Sequence, residues 1–117
     1  MKIKKRKKSS FDDYLYLMKK LSEGQILYTH HMDDIKYVHF YQGTRATSNT
    51  CELRELRKKI TTQNFDEQEV IAIKDDFVGE TMRRRVQKSG CVMIDTGTYA
   101  WPWDGTGIWQ TVIIYMP

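Results

Sequence analysis

The sequence predicts an α+β fold: an N-terminal helix and β-hairpin, followed by a helical segment that ends in a C-terminal β-hairpin. Three observations carry that expectation. An amphipathic stretch over about residues 11–23 is bracketed by a capping serine and a glycine. Two short runs, at 25–30 and 35–42, are dense in Ile, Tyr, Val and Phe. Apolar residues then recur at helical spacing through about residues 50–88, ahead of a strongly β-prone stretch near the C-terminus.

In the first element, Ser10 stands as a helix N-cap with Asp13 three residues on, in the manner of a capping box. Phe11, Leu15, Met18 and Leu21 supply the buried stripe. Asp12 and Asp13 fall in the first turn and Lys19 and Lys20 near the end, which complements the helix dipole. Gly24 is a natural stop. The runs Gln25–His30 and Ile35–Gln42 form a hairpin across the polar Met32-Asp33-Asp34, and Gly43–Asn49 reads as a loop. Asn49 with Glu52 offers a second cap, opening a helix over about 50–60 with Leu53, Leu56 and Ile60 on one side. Residues 64–89 thread onto two short helices broken near Asp75-Asp76, although Glu69–Lys74 taken alone reads equally well as a strand. Cys91–Ile94 and Ile108–Met116 then pair as a hairpin around a turn-rich tip from Gly97 to Gly107. The stretch TVIIYM should be paired or buried, since an exposed edge of that composition aggregates.

A length of 117 residues suits one domain, 10–117, made of a helix-plus-hairpin part (10–43) and a later part (50–117). Hydrophobic residues at 40% and aromatics at 12% are enough for a core. No apolar run approaches the roughly 18 residues of a membrane span, and none follows the basic start as a secretory signal would. A cytoplasmic location without membrane attachment is therefore expected. Cys51 and Cys91 form no CxxC pair and are read as two buried, reduced thiols.

Charge is unevenly placed. Lys2, Lys4, Lys5, Arg6, Lys7 and Lys8 crowd the first eight positions, and the remainder holds 13 basic against 15 acidic residues. Residues 1–9 are thus expected to be a disordered basic tail. Phosphate backbones are its natural ligand, because neutralising them releases counterions. A merely solubilising tail is the plainer alternative.

The order of three helices and a hairpin, with Ile71-Ala72, then Thr81-Met82 and Arg83-Arg84-Arg85-Val86, resembles winged helix-turn-helix DNA-binding proteins over residues 50–116. The resemblance implies a recognition helix that enters the major groove and a wing that touches the flanking backbone. It implies nucleic-acid contacts from Thr81, Arg83, Arg84 and Lys88, added to Lys4, Lys5, Arg6, Lys7 and Lys8 of the tail. Asp75, Asp76 and Val78 depart from the family pattern at the turn. Such proteins often pair, and residues 11–42 could serve a homodimer.

Tyr99, Trp101 and Trp103, with Pro102 between the tryptophans and Trp109 beyond, form the densest aromatic cluster. Exposed, these rings would stack on bases or dock a protein partner; buried, they would be the lid of a small core. His30, His31, Asp33 and Asp34 superficially suggest a metal cluster, but neighbouring strand residues point to opposite faces, so no metal site is assigned. No nucleophile motif or phosphate-cradling loop is present, and no cofactor or enzymatic role is expected. Two functions follow. The first is a non-enzymatic nucleic-acid-binding regulator, DNA more than RNA. The alternative is a small inhibitor or adaptor, of the kind phages and mobile elements encode, that docks a host protein or nucleoprotein through Tyr99, Trp101 and Trp103.

Overall fold

The computed structural model describes residues 10–32 and 35–112. Helix α1 (Ser10–Ser22) leads into eight strands: β1 (Ile26–Met32), β2 (Lys36–Thr47), β3 (Thr50–Gln63), β4 (Glu67–Phe77), β5 (Met82–Arg85), β6 (Val92–Asp95), β7 (Thr98–Pro102) and β8 (Ile108–Thr111). The predicted first helix is present, and its end follows the expected chemistry. Gly24 adopts a φ of 92°, its N–H bonds the Leu21 carbonyl, and the Gln25 N–H reaches back to that of Lys20. That pair of bonds is the Schellman closure, which needs a residue tolerant of the left-handed region.

The fold class itself is corrected. The chain is mostly an antiparallel sheet in the order β6-β7-β1-β2-β3-β4-β8, with β5 on β3, and no winged-helix-like helical segment exists among the described residues. The helices expected over 50–60, 66–74 and 79–88 are β3, β4 and β5. The reason lies in β3. Leu53 and Leu56 sit three apart, the spacing of a helical stripe, yet they face opposite sides of one strand and enter two different cores. A strand whose buried side passes from one face to the other imitates a helix in this way. Glu69–Lys74 resolves as strand.

Two further expectations change. The loop assigned to 43–49 is the second half of β2, carried past a bulge between Gly43 and Arg45. The bulge restores phase, so Ala46 and Tyr41 pack with the same core. The actual turn is at Ser48-Asn49, where Ser48 takes a φ of 54°. In the C-terminal part, the hairpin is β6 with β7, closed at Gly97 (φ 78°), while β8 leaves to pair β4. The Met32-Asp33-Asp34 connection and the end of TVIIYM fall partly outside the described residues.

Strands β1, β2, β3, β5, β6 and β7 close into a ring, because a bridge from Val86 to Val92 joins β5 to β6. Leu17 and Leu21 of α1 fill it together with Leu27, Tyr41, Cys51, Leu53, Val92, Ile94 and Ala100. α1 comes very close to β2: a methyl group on Gly43 would stand 2.6 Å from the Leu21 carbonyl oxygen. The second core holds Ile26, Val38, Phe40, Leu56 and Val70, covered by Trp103 and Ile108. Here β2 and β3 part beyond Phe40–Leu56, and side chains span the gap. Gln110 Oε1 accepts from the Val38 N–H (3.2 Å) and from Lys58 Nζ (3.0 Å), and Thr111 Oγ1 accepts from the Lys36 N–H (3.0 Å). Lys58 Nζ also donates to the Val38 carbonyl.

Candidate nucleic-acid interface

Helix α1 begins directly after the basic segment, and its first turns are anchored to the β2–β3 turn. The Tyr14 hydroxyl donates to the Ser48 carbonyl at 3.2 Å. Beside this contact opens a cleft of about 450 Å³ lined by Tyr14, Asn49, Arg85, Val86, Gln87 and Lys88. A second cleft of about 200 Å³ has walls from Tyr16, Lys20, Gly90, Trp101 and Pro102. Both share α1 and the turn 87–90, which is closed by the Gly90 N–H on the Gln87 carbonyl at 3.0 Å. The first cleft sets Tyr14 with Arg85 and Lys88, and the second sets Tyr16 and Trp101 with Lys20. Lys20 Nζ lies 5.5 Å from the centre of the Tyr16 ring, and its ion pair with Glu23 is long (3.6 Å) and exposed. Such a pair holds the ammonium weakly and leaves it able to change partners.

The sequence-predicted contact residues separate. Lys4, Lys5, Arg6, Lys7 and Lys8 lie outside the described residues. Thr81 is exposed but sits before β5 rather than on a helix. Arg83 and Arg84 do not share a strip, because a strand sends neighbours to opposite faces. Arg83 points to solvent, whereas Arg84 turns inward and donates from Nε to the Ile94 carbonyl at 2.7 Å. Arg84 thus ties β5 to β6 and is spent on the ring. It also lies near Cys51, whose thiol burial pushes up to about 11 against the pull of that cation. Lys88 is exposed and lines the first cleft.

The aromatic trio also divides. Tyr99 and Trp101 project from the outer face of β7, each 44% exposed. Trp103 instead packs edge-on to Phe40, with ring centres 5.0 Å apart, and donates its Nε1–H to the Thr106 carbonyl at 2.7 Å. It is a structural residue. Sequence reasoning missed Tyr14, Tyr16, Lys20 and Arg85. Tyr16 is 58% exposed, and the predicted stripe was no guide to it, since Leu15 on that stripe is 48% exposed while Leu17 beside it is buried.

Among the described residues no helix is long and apolar enough to cross a membrane, and no group of three or more His, Cys, Asp or Glu could hold a metal. Cys51 and Cys91 are buried and free. The chain matches no family model, no curated protein and no solved structure.

Proposed function

We propose that this protein binds nucleic acid, as a single strand laid along the tract from the β2–β3 turn to Trp101. The observation that carries the reading is the meeting of the two clefts at turn 87–90, which sets Arg85, Lys88 and Lys20 among Tyr14, Tyr16 and Trp101 beside the entry of a six-cation segment. Cations that follow a phosphate backbone, interleaved with rings on which bases stack, are what a sequence-tolerant single-strand site requires. Among the described residues the expected recognition helix is strand β5, so the reading no longer favours DNA over RNA.

The test is fluorescence anisotropy with single-stranded RNA, single-stranded DNA and a duplex, at low and moderate salt. Full-length protein, a chain lacking residues 1–9, and Arg85→Ala/Lys88→Ala are compared. Binding should weaken steeply with salt. Trp101→Ala should cost about 1–3 kcal/mol, the usual worth of one stacked base. Affinity unchanged in the double variant, or a duplex preferred to both single strands, would overturn the reading.

A second reading, docking of a protein partner, is favoured by a specific cluster: Tyr99 and Trp101 at 44% exposure lie beside Met93 at 37%. Tyr99→Ser with Met93→Ser separates the two, since it strips the apolar surface beside Trp101 and leaves both clefts lined as before.

A further inference from the structure

Away from the tract, one face of β1, β2 and β3 gathers groups that donate and accept protons. His31 and Tyr37 are cross-strand partners, as are Thr29 and His39, and Tyr41 and Glu55. His39 Nδ1 lies 2.8 Å from Glu55 Oε2, with about a third of each side chain exposed. A carboxylate only accepts, so Nδ1 carries the hydrogen and Nε2 is the basic nitrogen. The Tyr37 ring stands edge-on to His39, with centres 4.7 Å apart, and the His31 ring lies 6.1 Å away at 87°. On its far side Tyr37 meets Lys58 Nζ, 3.7 Å from the ring centre. His39 is therefore held from two directions, by a carboxylate and by a ring that is itself held by a cation. His31, on the neighbouring strand, is exposed.

We propose that this face is a metal-independent RNA-cleaving site in which His39 is the general base and His31 the general acid. The inference rests on the nucleic-acid reading for its substrate class. In the step, His39 Nε2 takes the proton of a ribose 2′-hydroxyl. The 2′-oxygen forms a bond to the adjacent phosphorus as the bond from phosphorus to the 5′-oxygen breaks. The His31 imidazolium gives its proton to the departing 5′-oxygen. The products are a 2′,3′-cyclic phosphate and a 5′-hydroxyl, with no change of oxidation state and no co-reactant. The two ring centres lie 6.1 Å apart and nearly perpendicular, which sets both imidazoles on one patch of the sheet, and each hydrogen bond to a reacting oxygen would span about 2.6–3.2 Å. Glu55 and Tyr37 are positioning residues that fix the tautomer and tilt of His39. Lys58, half-buried and carrying a pKa lowered to about 8 by burial, is held by Gln110 and the Val38 carbonyl and supplies positive field from beneath Tyr37. Eight residues of β2 lie between His39 and Ser48, about 30 Å of extended chain over nine steps, within reach of a strand of the 4–16 nucleotides such sites hold.

The experiment incubates the full chain, in EDTA, with a fluorophore-and-quencher RNA oligonucleotide and with its all-deoxy counterpart, alongside variants purified identically. RNA should be cut and the deoxy strand left whole, with cyclic phosphate termini seen by mass spectrometry. His39→Gln and His31→Gln should each slow cleavage at least about 100-fold, the usual worth of positioned acid–base groups, while RNA anisotropy stays unchanged. Glu55→Gln keeps the shape of the side chain and should move the pH–rate profile. Intact RNA from a protein that binds it overturns the site and spares the binding reading. Cleavage of the deoxy strand, or a wild-type rate in folded His39→Gln, overturns it too. Cleavage that persists after Arg85→Ala/Lys88→Ala has abolished anisotropy keeps the site and removes the proposed tract. RNA neither bound nor cut removes both.

Discussion

The two cores of this molecule are closed by different means. The ring around Leu21, Leu27 and Leu53 is closed by backbone: its strands pair edge to edge in the order β6-β7-β1-β2-β3-β5, Val86 bridges to Val92, and α1 seals it. The core around Phe40 and Val70 is closed by side chains, where Gln110, Thr111 and Lys58 satisfy β2 groups that β3 has left behind. Backbone closure is indifferent to residue type and leans on packing. Side-chain closure depends on particular polar atoms, because a buried amide left unpaired costs more than the bond it lost had contributed.

That contrast can be broken most forcefully at Leu53, which is fully buried in the ring core. Leu53→Ala should cost about 2–5 kcal/mol in urea unfolding, from lost transfer energy and the cavity left behind. The second core should prove sensitive to a change that adds no cavity. Gln110→Leu is near in size yet orphans the Val38 N–H and Gln68 Oε1 and takes one of two acceptors from Lys58 Nζ, and it should cost about 1–3 kcal/mol. A neutral result would mean that the gap is closed by packing alone, as in the ring.

The smallest effect is in pH. Burial lowers Lys58 from 10.5 to about 8, so the native state sheds a proton that the unfolded chain still holds. Stability attributable to this group therefore rises as pH climbs from about 8 toward 10.5. Burial raises Cys51 from 9.0 to about 11, and burial, aided by the Glu55 carboxylate, raises Tyr41 from 10.0 to about 12. Those two groups hold their protons longer in the folded state, and their contribution is lost as pH rises above about 9. Between pH 7 and 9 the wild type should gain about 1 kcal/mol relative to Lys58→Met. Parallel unfolding curves for the two proteins across that interval would place Lys58 in water.

Much of the first third was legible. The existence of α1, its stop at Gly24 and the pairing of β1 with β2 follow from local chemistry that no distant residue overrides, whereas the expected stripe is corrected: Leu21 is buried, but Leu15 is 48% exposed and Leu17 takes the inward place. Legibility ended where strands became buried on both faces. Leu53, Leu56 and Ile60 have helical spacing, and only the partners of β3, distant in sequence, distinguish that stripe from a strand. The three consecutive arginines suffered the same ambiguity: on a helix they fan around the axis, while on β5 they alternate, and Arg84 is drawn inside. Lys88 and Trp101 were recognisable as surface chemistry, but their proximity to α1 depends on ring closure. The pattern Tyr37-Val38-His39-Phe40-Tyr41 did alternate visibly, and its polar side was the sign of the proton-handling face.

The two-sided burial of β3 also bears on how the chain avoids misfolding. In a sheet with one wet face, sliding a strand by one residue exchanges inside for outside once, and a tolerant surface can absorb the insult. On β3 the same slide would carry Leu53 out of one core and Leu56 out of the other together, and would press Glu52 and Glu55 toward the places they vacated. Each one-residue slip is penalised on both sides at once. The longest strand, with the most alternatives open to it, is thereby the one whose alignment is proofread twice.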